Sequence, residues 1–219
     1  MILRSLALSG GVAVLLACDQ PRNDAAAGSP VSSDTAAVPA ILFLGTSLTA
    51  GYGLDPDQAY PALIQQKIDS AGLNYRVRNA GVSGESSAGA LRRVDWLFQQ
   101  PVSILVLETG ANDGLRGLSP DSLRANIDAI LRRAKRLQPS VKLVLVGMRM
   151  PPNYGREYSR RFEEIYPGLA RSHGATLVPF LLAGVGGVAA LNQADGIHPT
   201  AEGQRRMAET VWGALNKLL

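Results

Sequence analysis

Ile41-Leu42-Phe43-Leu44-Gly45-Thr46-Ser47-Leu48-Thr49-Ala50-Gly51 joins a short apolar run to a glycine and then to small polar residues. Large apolar side chains in succession, with no alternation, are the pattern of a strand buried on both faces. Working outward, similar runs recur at Ile104–Leu107, Leu143–Val146 and Thr176–Val178, with a weaker one at Tyr75–Val77. Between them lie stretches of helical period. Asp57–Ser70 sets Ala59, Leu63, Ile64 and Ile68 on one face and stops at Gly72, and Ser87–Gln99 carries Leu91, Val94, Leu97 and Phe98 before Pro101. Ser119-Pro120-Asp121 reads as a helix start, with Ser as cap and Pro in the first turn. Further helices are expected over about Glu157–Ser172 and Thr200–Leu218. Strands alternating with helices predict one α/β domain, a three-layer sandwich with a central parallel sheet of about five strands and helices on both faces.

Upstream of residue 40 the chain changes character. Arg4 precedes an apolar stretch from Leu6 to Ala17, short for a membrane-spanning helix and suited to an export signal. From Asp19 to about Ala37 large apolar side chains are almost absent, so ordering this segment has little to offset its entropy. The expected organisation is a signal segment at 1–17, a flexible tether at 18–39 and a folded domain at 40–219. As a coil the tether would span roughly 25 Å on average.

Composition narrows the classes. The 219 residues carry 22 basic and 18 acidic side chains, interspersed, for a net charge of +4. The densest basic cluster, Arg132, Arg133, Lys135 and Arg136, falls on an amphipathic helix without interleaved aromatics, so it reads as a solvated face and not as a nucleic-acid footprint. A single cysteine allows neither an internal disulfide nor a cysteine-based metal cluster.

In parallel sheets, ligands gather at the carboxyl ends of the strands. The stretches there are Gly45–Ser47, Asn79–Glu85, Thr109–Asp113 and Arg149–Asn153, all polar or glycine-rich. Ser47 sits at a strand tip entering a helix, near amides that suit an anion. The chain lacks the G-x-S-x-G elbow of common lipases. Of the two histidines, His173 is explained by a helix end before Gly174. His198 lies in Asp195-Gly196-Ile197-His198-Pro199, where Asp195 can reach the ring through the turn. A carboxylate that fixes the imidazole tautomer is what a serine nucleophile requires. Asp-Gly is also ordinary turn chemistry, and Asn112-Asp113-Gly114 is also an ordinary turn sequence. Glu85, Glu108 and Asp113 leave open a paired-carboxylate site of the glycosidase kind, although nothing local sets their separation. Gly184–Ala189 matches a dinucleotide fingerprint formally. It follows the last strand, so a flank of the ligand site is the better reading.

The combination resembles the SGNH (GDSL-type) hydrolase family from Ile41 to Leu218. The resemblance rests on Gly45-Thr46-Ser47-Leu48, Asn79-Ala80-Gly81-Val82-Ser83-Gly84, Gly110-Ala111-Asn112-Asp113 and Asp195-Gly196-Ile197-His198-Pro199, in that order. Thr49–Gly53, Asn112–Gly117 and Pro152–Arg156 are similar to its bacterial thioesterase, lysophospholipase and arylesterase branch. The resemblance implies Ser47 as nucleophile and His198 and Asp195 as base and orienting acid. It implies an oxyanion hole from Ser47, Gly84 and Asn112, acting on an acyl ester or thioester without metal or organic cofactor. One departure is Thr46, which occupies the usual Asp of the motif; altered loop support is expected, not lost chemistry. Leu15-Leu16-Ala17-Cys18 resembles the bacterial lipoprotein signal, which implies lipid attachment at Cys18 and a membrane-anchored, periplasmic enzyme. A monomer is expected. A polysaccharide O-acetylesterase and a non-catalytic acyl-binding lipoprotein remain as other readings.

Overall fold

The computed structural model describes residues 38–219. The signal segment, Cys18 and the tether up to residue 37 lie outside the described residues. Five strands, β1 (Ala40–Gly45), β2 (Arg76–Gly81), β3 (Ile104–Glu108), β4 (Lys142–Val146) and β5 (Thr176–Val178), form one parallel sheet in the order β2-β1-β3-β4-β5. β1 and β3 are buried at every position, as their unbroken apolar runs require. The edge strand β2 has no fully buried residue and carries Arg76 and Arg78, charges that discourage pairing with another chain.

Seven α-helices accompany these strands among the described residues: α1 (Ser47–Ala50), α2 (Tyr60–Ser70), α3 (Ser87–Leu97), α4 (Ala111–Leu115), α5 (Pro120–Leu137), α6 (Arg156–His173) and α7 (Ala201–Leu215). Helices α3, α5 and α6 pack side by side, while α2 packs against α7. Right-handed crossovers explain the division: the step from β1 to β2 runs one way along the sheet, and the steps through β3, β4 and β5 run the other. The two helix layers therefore cover opposite faces, giving the expected three-layer sandwich. No described helix is long and apolar enough to cross a membrane.

Local chemistry accounts for the element ends. The Ser119 hydroxyl accepts from the Asp121 N–H at 3.2 Å with Pro120 in the first turn of α5, and the Thr200 hydroxyl caps α7 through the Gly203 N–H at 3.3 Å. The stretch Asp57–Ser70, read from sequence as one helix, is broken. A 3₁₀ turn at Pro56–Gln58 gives way to extended backbone at Ala59 before α2 begins. The break lets the Tyr60 N–H donate to the Gln204 side-chain carbonyl on α7 at 2.8 Å. Likewise α7 stops at Leu215 and the chain continues as a 3₁₀ turn over Asn216–Leu218. Asn79–Gly81, read as the start of a loop, is instead the end of β2, held in register with Phe43–Gly45 of β1.

The sheet order reverses at β1, which has β2 on one side and β3 on the other. Connections leave β1 and β3 in opposite directions, opening a crevice at their carboxyl ends. Ser47 and Asn112 follow those two strands.

Candidate active site

Ser47 opens α1, with Thr46 as the capping residue. Beneath them Glu108, the last residue of β3, is fully buried. Its carboxylate accepts from the Thr46 N–H at 2.8 Å, the Thr46 hydroxyl at 3.0 Å and the Thr49 hydroxyl at 2.8 Å. Thr49 in turn meets the Tyr60 hydroxyl at 2.9 Å. Burial pushes the Glu108 carboxyl above its ordinary range, against the pull of these donors. The departure at position 46 thus has a physical content. A threonine hydroxyl donates to Glu108, whereas an ionised aspartate there would have no proton to give.

The turn before α7 supplies the histidine. Asp195 Oδ1 accepts from the backbone N–H of Ile197 at 2.9 Å and of His198 at 3.0 Å, while Oδ2 lies 2.7 Å from His198 Nδ1. These bonds, led by the His198 backbone N–H and then its ring, hold the Asp195 carboxyl down at about 2. An ionised Asp195 accepts the Nδ1 proton, which leaves Nε2 as an acceptor. That nitrogen stands 3.0 Å from Ser47 Oγ. The chain therefore brings together three groups separated by as many as 151 residues. His173 is elsewhere, at the end of α6, with Nε2 2.8 Å from Asp128 on α5.

Two residues around His198 were not singled out individually from sequence. The Tyr52 ring lies against the imidazole, centroids 4.5 Å apart. The Gln193 side chain donates to the Tyr52 carbonyl at 2.7 Å and the Pro199 carbonyl at 3.0 Å, tying the histidine turn to the end of the nucleophile loop. The signal for Tyr52 was its place in Thr49–Gly53; Gln193 carried none.

Asn112 lies in α4, a single helical turn where the sequence also allowed a plain turn. Gly110 caps it with φ +107°, and a Cβ there would stand 2.3 Å from the Tyr166 hydroxyl, so only glycine fits. The Asn112 side-chain amide donates to the Glu85 carbonyl at 3.0 Å, which spends one of its two N–H groups and fixes the direction of the other. Gly84 precedes Glu85 on the facing loop. Neither the Ser47 nor the Gly84 backbone N–H donates to another described residue.

The three carboxylates that suggested a glycosidase are all engaged. Glu85 pairs with Arg93 at 2.6 Å, and Asp113 accepts from the Ser87 N–H at 2.8 Å and hydroxyl at 2.6 Å. With Glu108 committed to Thr46 and Thr49, each of the three has a structural partner, so the paired-carboxylate reading is set aside.

A cavity of about 640 Å³ opens beside Ser47, Asn112 and His198. Its wall is largely apolar, with Leu115, Met148, Met150 and Phe180 prominent. Gly186 and Gly187 contribute to the same wall, so the glycine-rich stretch after β5 flanks the site.

The chain is similar to known proteins in sequence and in fold. Residues 43–206 match the model of the GDSL-like Lipase/Acylhydrolase family. The chain is 39% identical to "Esterase TesA" of Pseudomonas aeruginosa over 99% of its own length and 100% of that protein. It is 37% identical to "Thioesterase 1/protease 1/lysophospholipase L1" of Escherichia coli over 84% and 86% of the two chains. Among solved structures, that of TesA superposes with a TM-score of 0.78 at 42% identity, covering 82% of this chain and 99% of that one. Sequence match and fold agree: this chain belongs to the GDSL-like lipase/acylhydrolase family of ester hydrolases.

Proposed function

We propose that the chain hydrolyses carboxylic esters or thioesters of acyl chains through an acyl-serine intermediate formed on Ser47. The observation that carries this reading is the continuous line from Asp195 Oδ2 to His198 at 2.7 Å and from His198 Nε2 to Ser47 Oγ at 3.0 Å. His198 Nε2 takes the hydroxyl proton as Oγ attacks the acyl carbonyl, and Asp195 stabilises the imidazolium that forms. The oxyanion receives the free N–H groups of Ser47 and Gly84 and the second amide N–H of Asn112. The protonated Nε2 then gives its proton to the departing alcohol or thiol. Water, deprotonated by His198, attacks the acyl-serine; Ser47 recovers its proton and the carboxylic acid leaves.

The size and apolar wall of the cavity support an acyl chain longer than acetyl, and so favour an acyl-lipid or aryl-ester substrate over an O-acetylated polysaccharide. Steady-state rates across p-nitrophenyl esters from acetyl to palmitoyl test this. A maximum beyond butyrate supports the reading, and a sharp preference for acetate removes it.

The same proposal includes export. Residues 1–17 act as a signal segment, Cys18 carries the lipid and 18–39 tether the hydrolase domain, 40–219, on the periplasmic side of a membrane as a monomer. Support comes from the apolar run ending in Leu15-Leu16-Ala17-Cys18 and from the polar composition that follows. Several acyl chains on one cysteine would exceed the marginal hold of a single chain.

A further inference from the structure

Gly84 supplies one of the two free backbone donors, and a few polar contacts hold it in place. It lies in an exposed turn, Val82–Glu85, closed by the Glu85 N–H donating to the Val82 carbonyl at 3.2 Å. Its φ is +76°, at the third position of the turn, the place where a type II turn requires glycine. A Cβ built on Gly84 would find a single neighbour within 4 Å, the guanidinium Nη2 of Arg116 at 3.8 Å. On the side where a Cβ would project, no apolar side chain lies within 4 Å, so the polar contacts of this peptide carry much of its orientation.

Arg116 makes the decisive one. Its Nη2 donates to the Gly84 carbonyl at 2.8 Å. The Gly84–Glu85 peptide is therefore gripped at both ends, by Arg116 on its C=O and by Val82 on its N–H. With that plane fixed, the Gly84 N–H can swing only through the two torsions of Gly84 itself. Arg116 caps the end of α4, one helical turn beyond Asn112, whose amide donates to the next carbonyl, that of Glu85. One face of α4 thus staples successive carbonyls of the Gly84 loop. Arg116 is exposed and has no carboxylate within ion-pairing distance among the described residues. A surface arginine that spends its guanidinium on a backbone carbonyl, not on an acid, calls for a reason.

We propose that Arg116 is a positioning residue for the oxyanion site, acting through the Gly84 peptide and touching no reacting atom. The proposal rests on the serine mechanism above. Preorganised donors matter only as charge develops, so loss of Arg116 falls on kcat and leaves KM nearly unchanged. Deleting an oxyanion donor outright costs about 10²–10³ in rate, and loosening one is expected to cost about tenfold.

The test compares wild type, Arg116→Ala and Arg116→Lys in the full chain, with Ser47→Ala alongside. The measurements are kcat and KM for a p-nitrophenyl ester, the inhibition constant of an alkyl trifluoromethyl ketone, and the melting temperature. The expected result is a kcat loss of about tenfold in Arg116→Ala with KM within twofold. The ketone, whose adduct bears the oxyanion, weakens by the same factor. Arg116→Lys recovers part of the rate, and millimolar guanidinium restores part of the Arg116→Ala rate. Unchanged kcat overturns the proposal. So does a loss confined to KM, which would make Arg116 a substrate-binding group, and so does a kcat loss with no matching change in ketone affinity. An Arg116→Ala protein that fails to fold leaves Arg116→Lys to decide by the same kcat and ketone comparison. Activity surviving in Ser47→Ala would refute the serine reading itself, a different outcome from full kcat in Arg116→Ala beside an inactive Ser47→Ala.

Discussion

Truncating Asn112 separates a catalytic amide from a structural one, because the hydrogen bond to Glu85 belongs to the fold and the oxyanion contact belongs to the proposed reaction. Asn112→Ala removes the hydrogen bond to the Glu85 carbonyl at 3.0 Å. A neutral bond of this kind is worth about 1 kcal/mol net, and the half-buried carbonyl it leaves behind can find water. For a domain of this size that corresponds to a fall in melting temperature of about 2–4 °C. The second N–H, if it donates to the oxyanion as proposed, is worth far more while the reaction proceeds: about 10²–10³ in kcat, or roughly 2.7–4 kcal/mol. The two effects are read by different assays, thermal melting for the first and kcat against KM on a soluble ester for the second. Asn112→Asp sharpens the contrast. It preserves the size, sets a carboxylate against the Glu85 carbonyl, and places negative charge where negative charge develops. Its kcat should be at least as low as that of the alanine variant. A well-folded variant of either kind with near-normal kcat would remove Asn112 from the mechanism, leaving the Ser47 and Gly84 amides as donors.

His198→Ala should lose nearly all turnover while the fold survives, and His173→Ala, which affects only the pairing with Asp128, should keep its kcat; reversed outcomes would misassign the base. The Asp195 carboxyl is held at about 2 against an ordinary 3.8, so its bonds contribute fully to stability above the ordinary value and the contribution disappears as pH falls through the lower one. Asp195→Asn should therefore melt below wild type at pH 7 and converge with it near pH 2; a constant difference across that window would contradict the assignment. Cys18→Ser should shift the protein out of the membrane fraction with activity intact, or leave an uncleaved precursor, and a mature N-terminus downstream of Cys18 by mass spectrometry would end the lipid-anchor proposal.

The fold was legible where burial is complete. β1 and β3 have apolar neighbours on both faces, so Ile41–Leu44 and Ile104–Leu107 announce themselves as unbroken runs. β2 lies at an edge, where Arg76, Arg78 and Asn79 are tolerated beside water, and its true extent to Gly81 is fixed by register with β1 and not by any local pattern. The break at Ala59 depends on Gln204, 144 residues away, accepting from Tyr60. The meeting of Ser47, Asp195 and His198 was suggested by a strand tip, a turn and a following proline only in combination with the family resemblance, since each alone also has a plain structural reading. Glu108 was legible only as an acid of unknown partner. Its role under the nucleophile loop follows from Thr46 and Thr49, about 60 residues distant, which sequence spacing does not bring together.

In the proposed reaction Ser47 becomes covalently acylated with His198 as the base. Intact-protein mass spectrometry after treatment with a fluorophosphonate ester tests it most directly, with peptide mapping of the adduct. One phosphonyl group per molecule is expected, located on Ser47, formed in wild type and absent in Ser47→Ala. In a folded His198→Ala protein the adduct should form slower by orders of magnitude. An adduct on any other residue, or undiminished labelling of Ser47→Ala, would contradict it.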